Sequence, residues 1–170
     1  MGSAIACQVS ENRPEKVKKL VVLSGYLLKD GQSPTGLDHG AFPKDWMAMS
    51  EAGVLSFTPY YKVSHLNPKF VKVKIYSFLT DEQFGPLAMQ LCGESMAALN
   101  QQVKLGVNFE NVPKVYIKTL KDEMMPLEIQ EQAIANTVVE KVYDIDTGHD
   151  SFYTAPQELT AVLDEIASNF

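Results

Sequence analysis

The sequence predicts an α/β fold, a parallel sheet with flanking helices, into which a mostly helical cap is inserted. Three observations carry that prediction. Short β-branched runs alternate with amphipathic stretches, so the front reads helix–strand and the tail strand–helix–strand–helix. That is the pattern of a parallel sheet closed by right-handed crossovers. One strand candidate is apolar without a break, as a strand covered on both faces should be. Between the two halves, residues 29–110 are crowded with Gly and Pro and then become rich in Met, Leu and Ala. A structureless loop of that length does not fit a compact domain.

Taken in order, residues 3–12 form a helix with Ile5 and Val9 on one face, broken before Pro14. Leu20 to Ser24 is the uninterrupted apolar run and the first strand. The interruption follows, with Gly31, Pro34, Gly36, Gly40, Pro43, Gly53, Pro59 and Pro68 ahead of a helical segment from about Asp81 to Leu105. It reads as a cap over one edge of the sheet. The division is a core of residues 1–28 and 111–170 and a cap of residues 29–110.

Val115 to Thr119, after Pro113, is the second strand. Residues 126–136 open with Pro126, suited to a first helical turn, and set Leu127, Ile129, Ala133 and Ile134 at helical spacings. Val142 to Asp146 is the third strand, nearer a sheet edge because aspartates alternate along it. In the final helix Leu159, Val162, Leu163, Ile166 and Phe170 make one apolar stripe, and Thr154 with Gln157 fits a capping box at its start. Three strands are few where about four to six are usual. Either the sheet is small or strands lie outside this chain.

The composition, 45% hydrophobic and 21% charged, is that of a folded domain with a real core. A net charge of −6 argues against nucleic acid, because phosphate binding needs clustered Lys and Arg. The lysines at 16, 18 and 19 and at 69, 72 and 74 are interleaved with valines and read as solvated faces. No apolar run approaches the ~20 residues that span a bilayer, and no signal peptide opens the chain, so no membrane is expected. Cys7 and Cys92 lack disulfide or CxxC spacing and read as buried small hydrophobes in a reducing, cytoplasmic setting. His39 and His65 stand alone without metal spacing, so no metal and no cofactor is expected.

In open parallel sheets, ligands bind outside the carboxyl ends of the strands. Asp122 lies three residues beyond the strand ending at Thr119, and His149 three beyond the strand ending at Asp146. Adjacent strands set these loops side by side, where an Asp–His hydrogen bond fixes the imidazole tautomer and stabilises the imidazolium, as a triad carboxylate does. Each residue alone is more often structural, Asp122 capping the helix near Pro126 and His149 an ordinary loop histidine. Their matched placement turns the balance toward catalysis.

Residues 112–126 (VPKVYIKTLKDEMMP), 142–152 (VYDIDTGHDSF) and 155–159 (APQEL) resemble the late strand, acid loop, histidine loop and last helix of α/β-hydrolases. Residues 2–7 (GSAIAC), 14–17 (PEKV) and 20–25 (LVVLSG) resemble the helix after the nucleophile elbow and the strand that follows. Within that superfamily the resemblance is to the plant-type methylesterase and hydroxynitrile lyase group and its bacterial relatives. It runs the whole chain in register, weakest in the cap.

The resemblance implies Asp122 as the triad acid and His149 as the general base. It makes Gly2 the last glycine of the G-x-S-x-G elbow and Met1 the residue after the serine, which supplies an oxyanion-binding amide. The serine then falls one position before Met1. Ser3, Ser24 and Ser151 lack an elbow and are poor substitutes. Lyases of this group have a lysine directly after the histidine, where this chain has Asp150, so hydrolysis of a small-molecule ester is the implied activity. Trp46, Met47, Met49, Phe57, Tyr60, Tyr61, Phe78 and Phe84 suggest an apolar pocket, or plain cap core. Two alternatives stand beside the esterase: a truncated, non-catalytic module that binds or dimerises through its exposed sheet edge, and a small α/β protein of unrelated chemistry.

Overall fold

The computed structural model describes residues 2–36 and 46–169. From the N-terminus, α1 (Gly2–Asn12) leads into β1 (Leu20–Leu23). The insertion then contributes α2 (Trp46–Glu51), β2 (Leu55–Phe57), β3 (Val63–Leu66), α3 (Pro68–Lys74), α4 (Asp81–Ala88), β4 (Glu94–Ser95), α5 (Met96–Asn100) and α6 (Val107–Asn111). The tail is β5 (Lys114–Thr119), α7 (Leu127–Ile134), β6 (Lys141–Ile145), α8 (Ser151–Thr154) and α9 (Pro156–Ser168).

The core sheet has three parallel strands in the order β1-β5-β6, with Leu20 opposite Lys114 and Val115 opposite Lys141. Because strand side chains alternate, Tyr116 joins Leu20 and Val22 against Cys7 of α1, Phe109 of α6 and Ala133 of α7 on one face. On the other, Val115, Ile117 and Ile145 meet Leu159 and Ile166 of α9. Each fully buried aliphatic side chain of this kind is worth about 1.5–3 kcal/mol. The sheet is thus covered on both faces at β5, whereas β1, the unbroken apolar run, alternates buried and half-buried residues, and β6 lies at an edge as its aspartates suggest. Lys114 is the exception inside: only 1% exposed, its ammonium donates to the carbonyl of Val112 at 2.8 Å and lies 4.2 Å from the Phe109 ring centre.

Several expectations are corrected. The buried face of α1 is Ala4, Cys7 and Ser10, while Ile5 and Val9 are 58% and 44% exposed. Small side chains let the helix sit close to β1, and the bulkier pair is turned outward. Cys7 is buried but Cys92 is exposed. No capping box opens α9: Ala155 is its N-cap with no side-chain bond. Thr154 instead ends α8, and its hydroxyl is 2.6 Å from that of Thr147 and 3.2 Å from the carbonyl of Asp150. The α9 stripe is narrower than its spacing implies, with Leu159 and Ile166 buried and Leu163 42% exposed; Phe170 lies outside the described residues.

Helices make up most of the regular structure of the insertion, but not all of it. It holds a three-stranded antiparallel sheet, β2-β3-β4, and the helix expected over 81–105 is two short ones parted by β4. Gly93 permits this, since a Cβ there would strike the side chains of Val63 and His65. Residues 105–110 pack back onto α1, where the Glu11 carboxylate accepts from the amides of Gly106 and Phe109, each at 2.8 Å. Among the described residues no helix is long and apolar enough to cross a membrane.

Candidate active site

Parallel pairing continues past the ends of β5 and β6. The amide of Leu120 donates to Ile145 O at 3.0 Å, and that of Lys121 to Thr147 O at 2.9 Å. These two bonds hold the Asp122 turn against the His149 loop. The Asp122 carboxylate is closed off from solvent and saturated. Oδ1 accepts from the amides of Met124 (2.9 Å) and Met125 (2.7 Å), and Oδ2 from the hydroxyl of Thr119 (2.7 Å). Its fourth bond joins Oδ2 to His149 Nδ1 at 2.8 Å. A carboxylate can only accept, so Nδ1 carries the proton and Nε2 is the nitrogen left for chemistry. Asp122 thus shapes its own turn and does not cap α7, whose N-cap is Pro126.

Gln130 and Thr119 escaped the sequence reading. Gln130 is fully buried; its amide group donates to the carbonyls of Thr119 (2.9 Å) and Met125 (2.7 Å), and its oxygen accepts from the amide of Thr119 (3.1 Å). It ties the end of β5 to the acid turn. The signal was a polar residue next to Ile129 on the inward face of α7. Gln130→Ala orphans three buried backbone groups and is expected to cost about 2–3 kcal/mol, read by urea unfolding.

His149 is the one residue of its loop that lines a cavity of about 510 Å³. Gly2, Ser3 and Ser24 line the same cavity from the core, Met124 and Met125 from the acid turn, and Met49, Leu55 and Leu99 from the insertion. The N-terminus of α1 and the histidine therefore face one space, which is mostly apolar. Ser24 has a φ of +36°, the left-handed region that a non-glycine residue enters at some cost, and is 2% exposed.

Of the aromatic and methionine side chains expected around a pocket, Met49 lines this one. Phe57, Tyr60, Tyr61, Phe78 and Phe84 do not, and Tyr60 is 88% exposed. The side chains of Trp46 and Met47, and all of Met1 and His39, lie outside the described residues. His65 is exposed on β3. Ser151 and Asp150 are fully buried and do not line the cavity. Among the described residues no group of His, Cys, Asp and Glu could hold a metal ion.

No family model matches the sequence. A chloroplastic Arabidopsis thaliana protein named methylesterase 13 is 26% identical over 98% of this chain and 38% of its own length. The structure of the Arabidopsis methylesterase MES16 superposes with a TM-score of 0.79 at 20% identity, over 99% of this chain and 66% of that one. A pyrethroid hydrolase from Sphingobium faniae JZ-2 superposes at 0.80 with 17% identity, over 98% and 67%. The chain spans less than half the length of that curated relative and about two thirds of each solved structure.

Proposed function

We propose that this chain, which has the fold of α/β-hydrolases and is similar in sequence to plant methylesterases, carries the acid and the base of a serine carboxylesterase. The observation that supports this reading is the 2.8 Å bond between His149 Nδ1 and a buried, fourfold-bonded Asp122, beside a largely apolar cavity. His149 Nε2 takes the proton of a serine hydroxyl as that oxygen attacks the ester carbonyl, then delivers it to the departing alcohol. Water repeats the sequence to release the acid. Asp122 holds the ring in the required tautomer and balances the imidazolium.

In this reading the nucleophilic serine directly precedes Met1, and the amide of Met1 is one oxyanion donor. Gly2 and Ser3 support this, since they face the cavity His149 lines. Residues 29–110 act as the cap that shapes the substrate space. Substrates are small neutral esters of apolar character, and the two unpaired cysteines fit a cytoplasmic location. Steady-state hydrolysis of aryl and methyl esters by the natural protein, with and without His149→Ala, is the test. Turnover that survives the substitution would end this reading.

One observation favours a second reading. Among the described residues β1 pairs on one side only, with β5. A non-catalytic module would use that edge to bind a second copy. Absence of turnover together with a dimer in sedimentation would select it.

A further inference from the structure

Four buried side-chain oxygens among the described residues have no hydrogen-bond partner, and they fall on three residues: Ser77, Asp150 and Ser151. Two of these directly follow His149 and the third comes from the insertion. The two segments touch. Ser77 Oγ lies 3.4 Å from where a side chain on Gly148 would begin, and the Phe78 ring 2.9 Å from it. Tyr76 meets Tyr153 edge-on, with ring centres 6.0 Å apart. The unsatisfied oxygens therefore belong to one junction between residues 76–78 and 148–153. Asp150 and Ser151 are both 0% exposed. A carboxyl withdrawn from water without a partner is among the costliest groups a protein can bury.

We propose that Asp150, Ser77 and Ser151 form a buried water-binding site, through which Asp150 acts as a positioning residue for His149. An internal water needs two to four polar partners, and this junction supplies a carboxyl and two hydroxyls from its two sides. Water bridging them ties the insertion to the peptide that carries His149 and keeps the imidazole seated against Asp122. Asp150 is the titratable member of this site. Burial pushes its carboxyl above the usual range; its own backbone amide, His149 and Lys72 pull the other way, while Asp122 adds to the rise. Tyr76 and Tyr153 are the remaining titratable neighbours.

The positioning role rests on His149 as the general base; the water site does not, and two measurements on the purified protein separate them. A carboxyl with a raised folded-state value contributes stability below its unfolded value and loses it as pH rises through the folded one. Asp150→Asn should therefore match the wild type near pH 4 and melt about 3 °C higher at about pH 8. Nitrogen NMR of histidine-labelled protein reads which ring nitrogen of His149 holds the proton. Asp150→Asn is expected to keep the Nδ1–H form, and Asp150→Ala to give a mixture of tautomers. Ser77→Ala, a milder change, is expected to do the same and decides the matter should Asp150→Ala not fold. An Asn variant that melts lower than the wild type at the higher pH would mean an ionised, paired Asp150 and would overturn the site. An unchanged tautomer in Ser77→Ala and in any folded Asp150→Ala would overturn the positioning role. Failure of ester hydrolysis in the wild type would remove His149 as a base, and the positioning role with it, and leave the water site in force.

Discussion

His149→Ala is expected to lower kcat for ester hydrolysis by about 10⁶-fold, with KM little changed. The size follows from what the ring does. Serine is a weak nucleophile unless its proton is removed as it attacks, and in the proposed mechanism Nε2 accepts it, because Nδ1 is committed to Asp122 at 2.8 Å. Losing the base leaves only binding and oxyanion stabilisation. Stability should hardly move: the side chain is 27% exposed, and Asp122 keeps three other donors after the ring is gone. Melting within a few degrees of the wild type would separate loss of chemistry from loss of fold.

Asp122→Asn is expected to reduce kcat by about 10⁴-fold while the protein stays folded. An asparagine oxygen can still accept from the amides of Met124 and Met125, so the turn survives. The change falls on the other side of the group. The amide NH₂ replaces Oδ2, which accepts from Thr119 Oγ1 and His149 Nδ1. It donates to Nδ1 and so drives the ring proton to Nε2, where it blocks base catalysis. Asp122→Ala is the harsher change, because it also orphans two amides at the turn and so lowers stability. Comparing the two by kcat and by unfolding divides the tautomer role from the structural one.

The placement of this pair was legible in the sequence because it depends on local signals: two β-branched strands, each followed three residues later by a group with acid–base chemistry. The flanking helices and the three core strands were legible for the same reason, through apolar runs and helical spacing. What was not legible depends on distant contacts. β4 is two residues long and carries no strand periodicity; it exists because Gly93 lets its backbone close on β3. Ile5 and Val9 have the spacing of a buried face, yet the small residues Ala4 and Cys7 are what the packing of α1 on β1 selects. Thr154 and Gln157 fit a cap by spacing, but α8 takes Thr154 first. Gln130 and Asp150 read as ordinary polar residues until burial singles them out.

The most direct test of a catalytic Asp122–His149 pair is covalent labelling of the natural protein with a fluorophosphonate, which reacts with activated serines. The account predicts a single adduct, mapped by peptide mass spectrometry to a serine directly preceding Met1 and absent from His149→Ala. An unlabelled wild type, or labelling that persists without His149, would contradict it.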